Sequence, residues 1–86
     1  MPVTLRLFAA AREAAGRGHD EYDAAVVRTV AALLDAATAA YGPAFAQVAA
    51  SSRVWVNGDE PARGSATTLA DGDEVAVLPP VSGGIA

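Results

Sequence analysis

Leu69-Ala70-Asp71-Gly72-Asp73-Glu74-Val75-Ala76-Val77-Leu78-Pro79-Pro80 is the stretch on which the fold turns. Residues 69–74 read as a tight turn: Gly72 permits the bend and the acids keep its tip in water. Val75-Ala76-Val77-Leu78 then reads as a strand. Pro79 and Pro80 end it, because neither has an amide hydrogen to give to a ladder. Val81-Ser82-Gly83-Gly84-Ile85-Ala86 follows with too little side chain to pack. The pattern predicts a folded domain over 1–81 and a flexible, projecting tail over 82–86.

Moving back along the chain, Arg53-Val54-Trp55-Val56 has strand character, and Asn57-Gly58 is a strong turn signal because both residues accept positive φ. Residues 59–68 read mostly as loop, limited by Pro61 and Gly64. A helix is predicted over 30–41, with Thr29 as its cap and Gly42-Pro43 as its stop. Val30, Leu33, Leu34, Ala37 and Tyr41 share one face of it, a stripe that belongs to a core. Residues 44–50, with Phe45 and Val48 three apart, predict a second short helix.

At the other end, Val3-Thr4-Leu5-Arg6-Leu7 alternates as a strand with one buried face. Phe8 breaks the alternation and points to the opposite face. Ala9 to Ala15 are strong helix formers, and Gly16 and Gly18 are stop signals. Glu21 to Val27 is ambiguous and is read as a short strand. This order of elements implies an α+β fold, a sheet with helices gathered on one face.

Eighty-six residues suffice for one domain and not two. Hydrophobic residues make up 52% of the chain, but many are alanine, so the core falls to few side chains. They are the Val and Leu residues, Phe8, Phe45 and Trp55, with Tyr22 and Tyr41 as further candidates. Trp55 reads as a structural aromatic on the sheet.

Composition excludes several classes of chemistry. With no cysteine there is neither a disulfide framework nor a thiolate metal site. The lack of disulfides fits a cytoplasmic protein. The single histidine, His19, lies between Gly18 and Asp20 and reads as a solvated loop residue. Ten acids outnumber six arginines, lysine is absent, and the net charge is −4. That balance argues against nonspecific nucleic-acid binding and suits a partner with a basic docking face. No apolar run is long enough to span a bilayer, and no secretory signal pattern opens the chain.

Enzymatic readings fare poorly on the same grounds. No histidine is paired with a nucleophilic serine, and no lysine is present for Schiff-base chemistry. Asp71, Asp73 and Glu74 lack the ligand spacing of a calcium loop, and no glycine-rich phosphate cradle precedes a helix. No catalytic residue, metal site or bound cofactor is predicted. The diglycine remains, and glycines without a β-carbon let an extended tail enter a narrow channel. A stiff diproline upstream would lower the entropy lost on insertion. By themselves the two glycines signify no more than a solubilising terminus.

The longer patterns are more specific. Leu69-Ala70-Asp71-Gly72-Asp73-Glu74-Val75, with Leu78-Pro79-Pro80-Val81-Ser82-Gly83-Gly84, resembles the ending of the MoaD/ThiS sulfur-carrier family. Val3 to Ala9, with Arg12-Glu13 and Gly16, is similar to the opening of its molybdopterin synthase small subunits. The 30–41 helix and Val56-Asn57-Gly58 occur between them in the family's order. Segments 17–28 and 59–68 match only in length and character. The diproline and the extra helical material favour the MoaD branch.

The resemblance implies a β-grasp, ubiquitin-like fold with a mixed sheet. It also implies a carrier, not an enzyme. Gly84 would be adenylated by an E1-like adenylyltransferase using ATP, and a sulfur donor would turn it into a thiocarboxylate. That group would supply sulfur for molybdopterin on the large synthase subunit, so the catalytic side chains would lie on the partners. Pro79, Pro80, Val81, Ser82, Gly83 and Gly84 would form the partner-binding tail. Phe8 and Leu78 would contribute to a hydrophobic docking face, with ordinary core as the alternative role for both.

One departure stands out. Ile85-Ala86 follows the second glycine, so Gly84 has no free carboxylate until the extension is removed, and the resemblance suggests a metal-dependent JAMM-type protease for that step. Two other expectations stay open: a carrier feeding cysteine, thiamine or specialised-metabolite synthesis, and a ubiquitin-like tagging or binding module.

Overall fold

The computed structural model describes residues 2–80. Four strands form one sheet: β1 (Val3–Leu7), β2 (His19–Tyr22), β3 (Arg53–Val56) and β4 (Glu74–Leu78). Their spatial order is β2-β1-β4-β3. The central pair, β1 and β4, is parallel, with Leu5 opposite Val75 and Leu7 opposite Val77. Both outer pairs are antiparallel. The sheet is therefore mixed, the β-grasp topology that the resemblance implies.

Alternation decides which face is buried. Val3, Leu5 and Leu7 of β1 and Val75 and Val77 of β4 are buried on one side. They meet Ala11 of α1 (Ala9–Ala15), Val30, Leu33 and Ala37 of α2 (Val30–Tyr41), and Phe45 of α3 (Pro43–Ala50). The helices thus lie on one face, with α3 between α1 and α2 in contact with both.

The helix ends follow from their residues. Thr29 Oγ1 accepts a hydrogen bond from the Ala32 amide at 3.1 Å, satisfying one exposed donor of α2. At the other end Gly42 takes φ of 100°, and Pro43 opens α3 at a position that needs no amide hydrogen. The α2 stripe is core, with Val30, Leu33 and Ala37 buried and Leu34 and Tyr41 packed against them.

Three sequence expectations are corrected. The second strand is His19–Tyr22, not Glu21 to Val27. Backbone pairing with β1 sets it, from Val3 opposite Tyr22 to Arg6 opposite His19. Residues 23–26 turn instead: Asp23 Oδ1 accepts from the Ala25 amide, and its carbonyl accepts from Val26 and Val27. Val26 is consequently 73% exposed while Val27 is buried. His19 accordingly occupies a strand position, not a loop. Phe8, a core candidate by composition, stands outside the core and is 39% exposed.

The 59–68 segment is loop apart from a single 3-10 turn at Gly64–Ala66. Its end is stitched to the start of α2, with the Val30 amide bonded to Thr67 O and the Leu69 amide to Arg28 O. Asn57-Gly58 turns as expected, Asn57 at φ 53° and Gly58 at 85°. The turn closes on Asp59, however, and β4 follows only after the loop.

Candidate functional site

The sheet face away from the helices is where the predicted docking residues fall. Phe8 has φ −126° and ψ 153°, so it continues the strand geometry of β1 and points opposite to the buried Leu7. Leu78, the last residue of β4, alternates with buried Val77 and is half-buried. Since Leu7 is level with Val77 in a parallel pair, Phe8 and Leu78 end the two central strands on the same open face. Arg53 of β3 is level with Leu78, and Trp55 with Ala76. The outcome for Trp55 is a half-buried aromatic on the sheet surface.

Immediately after Phe8 the chain reverses into α1 through Ala9, which takes φ of 49°. A left-handed alanine costs about 1–2 kcal/mol. The cost is met where the chain must leave the sheet at once and leave Phe8 outward.

Electrostatics on this face are arranged in pairs. Arg6 sits level with His19 on one side and Ala76 on the other. Its guanidinium reaches Glu74 Oε2 at 3.3 Å, both side chains being about half exposed. The same guanidinium lies 6.0 Å from the centroid of the Phe8 ring, within cation–π range. Such exposed pairs contribute little stability. They hold Arg6 and Phe8 as a composite surface.

The acidic turn before β4 is structural. Asp73 accepts from the Ala70 amide at 2.9 Å and from Asn57 Nδ2 at 3.0 Å. Among the described residues no group of three or more acids or histidines is placed to hold a metal ion. Among them, too, no helix is long and apolar enough to cross a membrane.

Pro79 and Pro80 leave the sheet directly from Leu78, the first half-buried and the second exposed. Val81, Ser82, Gly83 and Gly84, together with the predicted flexible segment 82–86, lie outside the described residues. Gly84 is six residues beyond Leu78, so chain geometry limits its reach from the end of β4 to about 20 Å. Leu78, from which that reach is measured, and Phe8 stand at the same end of the central strand pair. Arg6, Arg12 and His19 form a basic concavity beside Phe8. Sequence reading missed it, since the alternation puts only Arg6 on that face and gives no hint that residues 12 and 19 converge there.

A small mixed four-stranded sheet with helices on one face, its other face open and its two central strands parallel, defines a ubiquitin-like β-grasp protein. The ThiS family model matches residues 5–84, and the chain belongs to the ThiS family. Among solved structures it is similar to SAMP1, a small archaeal modifier protein, from Haloferax volcanii. That likeness has 32% identity and a TM-score of 0.79, covering 95% of this chain and 98% of the other. A provisionally named molybdopterin converting factor, subunit 1, from Pyrococcus furiosus is 27% identical, with a TM-score of 0.77 and coverage of 94% and 99%. Urm1 from Trypanosoma brucei shares the fold at 17% identity, with a TM-score of 0.73 over 94% and 93% of the two chains. No curated protein sequence matches the chain.

Proposed function

We propose that this chain is a sulfur carrier for molybdopterin synthesis whose reacting group is the carboxylate of Gly84, freed by removal of Ile85-Ala86. The observation that carries the reading is the extent of the ThiS family match, which runs to residue 84 and stops at the second glycine. Likeness to the Pyrococcus furiosus protein supports the molybdopterin branch.

The chemistry follows from the poor reactivity of a carboxylate. An E1-like partner attaches AMP from ATP to the Gly84 carboxylate and releases pyrophosphate. A sulfur nucleophile then displaces AMP, leaving a thiocarboxylate. The open face, with Phe8 and Leu78, docks first on the activating enzyme and then on the large synthase subunit. Pro79 and Pro80 direct the tail into each active site, and the catalytic side chains belong to those partners. A JAMM-type protease is the proposed source of the free Gly84 end.

Intact mass tests this directly. Protein isolated from its host should lack Ile85-Ala86. Incubation with ATP, the E1-like enzyme and a sulfur source should exchange one oxygen for sulfur. A full-length chain that never gains sulfur overturns the carrier reading. Sulfur transfer only to a cysteine- or thiamine-forming enzyme would move it to another pathway.

A second reading, protein tagging, draws on the likeness to a small archaeal modifier protein. There the activated Gly84 would acylate lysines of target proteins. The last arginine is Arg63, so trypsin would leave residues 64–84 on each modified lysine. Finding that remnant in host digests supports tagging; thiocarboxylate without conjugates counts against it. Without lysine, the chain cannot build lysine-linked polymers of itself.

A further inference from the structure

We propose that the concavity between Arg6, Phe8, Arg12 and His19 is a carboxylate-binding subsite that takes an acidic side chain of the protein docking on the open sheet face. The proposal rests on the docking role of Phe8 given above and names the chemistry of the partner at its edge.

The concavity has a volume of about 540 Å³ and lies where the end of β1, the first turns of α1 and the start of β2 meet. Two arginines and a histidine line it, on a chain of net charge −4, and no carboxylate lines it. Arg6, Arg17 and Arg53 each pair with an acid of this chain. Arg12 pairs with none among the described residues. It stands in the last turn of α1, whose carbonyl ends favour a cation there.

Arg12 also lies close to the start of β2. A β-carbon built on Gly18 would lie 3.5 Å from Arg12 Nε and 3.7 Å from Cζ, so the guanidinium lies against the Gly18 backbone. The Gly18 carbonyl is itself fixed by the Leu7 amide at 2.9 Å. The Arg12 guanidinium belongs to an exposed residue and is open to a ligand. Its planar fork suits a carboxylate with two parallel hydrogen bonds.

The rim selects the occupant. Phe8 supplies an exposed aromatic beside the cationic groups, which fits an acidic side chain next to an apolar one. On an acidic protein, a local patch of opposite sign fixes the register of a partner and rejects those with a base at that place.

The test measures affinity of the full chain for the E1-like enzyme of its host at low and moderate ionic strength, following the sole tryptophan, Trp55. Arg12→Ala should weaken binding about tenfold and flatten its salt dependence. Arg12→Glu should weaken it further, and Arg12→Lys should restore much of the loss. Circular dichroism should show the Arg12→Ala fold unchanged. Unaltered affinity in Arg12→Ala and Arg12→Glu, with loss in Phe8→Asp, overturns the subsite and leaves docking intact. Unaltered affinity in all three overturns both. Competition by inorganic phosphate at concentrations that leave an Arg12→Ala complex unaffected would make this a general anion site and overturn the acidic-side-chain assignment.

Discussion

The Tyr41 hydroxyl donates a hydrogen bond of 2.7 Å to Asp20 Oδ2, joining the last residue of α2 to the edge strand β2. Both partners are half-buried, and the Tyr41 ring also meets Phe45 edge-on at 5.1 Å. The bond from Tyr41 is the main reason Asp20 ionises below its usual range, burial opposing it and the Glu21 amide and Arg17 assisting. Burial, followed by the bond to Asp20, pushes the Tyr41 phenol upward.

Tyr41→Phe should therefore destabilise the fold by about 1.5–3 kcal/mol near neutral pH, the range for a hydrogen bond to a charged group. The sign with pH follows from Asp20. A carboxylate with a depressed folded pKa adds stability above its unfolded value of 3.8, and that stability is lost as pH falls through the folded value. The gap between wild type and Tyr41→Phe should narrow below about pH 4. Urea denaturation at a series of pH values would check it, and a gap independent of pH would contradict the account.

Tyr22 behaves differently. Its hydroxyl is buried and makes no hydrogen bond of good geometry, although it lies near enough to Tyr41 to raise that phenol's pKa. A buried polar atom without a partner carries a desolvation penalty. Tyr22→Phe keeps the ring and removes that atom. It should be neutral or stabilising by up to about 1 kcal/mol, read as an equal or higher Tm.

The strand and helix pattern was legible where burial has one clear period. Val3, Leu5 and Leu7 alternate, and Val30, Leu33 and Ala37 repeat at helical spacing, so both elements stand where the pattern puts them. β2 was not legible because His-Asp-Glu-Tyr is an edge strand with few apolar residues. Only its ladder to β1 makes it a strand, and no local residue announces that pairing. The apolar Ala24 to Val27 drew the reading too far along, although Asp23 turns the chain there. Phe8 was legible in direction from its place after Leu7, but counting aromatics as core concealed its exposure. The basic concavity depends on Gly18 and His19 approaching α1, a tertiary fact.

Asn57 occupies a left-handed conformation and uses both ends of its amide. Its Oδ1 accepts from the Glu74 amide at 2.9 Å while Nδ2 donates to Asp73, linking the end of β3 to the start of β4. Asn57→Ala would lose both bonds and keep a β-carbon at positive φ. A loss of about 1–3 kcal/mol is expected. Asn57→Gly loses the bonds without the conformational penalty, so it should be the milder of the two. Equal losses would show that the side-chain bonds alone decide the cost.

Phe45 and Phe8 separate stability from docking. Phe45 is fully buried in the core and meets the Tyr41 ring, so Phe45→Ala removes its contacts and leaves a cavity. A loss of about 3–5 kcal/mol is expected, a large part of the stability of a domain this size. Phe8 is exposed on the open face, and Phe8→Asp should leave the melting temperature within a few degrees of wild type, since surface changes are usually worth less than about 0.5 kcal/mol. Under the carrier reading, Phe8→Asp should nonetheless abolish or severely slow activation of Gly84, measured as ATP-dependent pyrophosphate release on chain trimmed to Gly84. A melting loss as large as that of Phe45→Ala would instead place Phe8 among the groups that hold the fold together. A stable Phe8→Asp chain activated at the normal rate would remove this face from the docking step altogether.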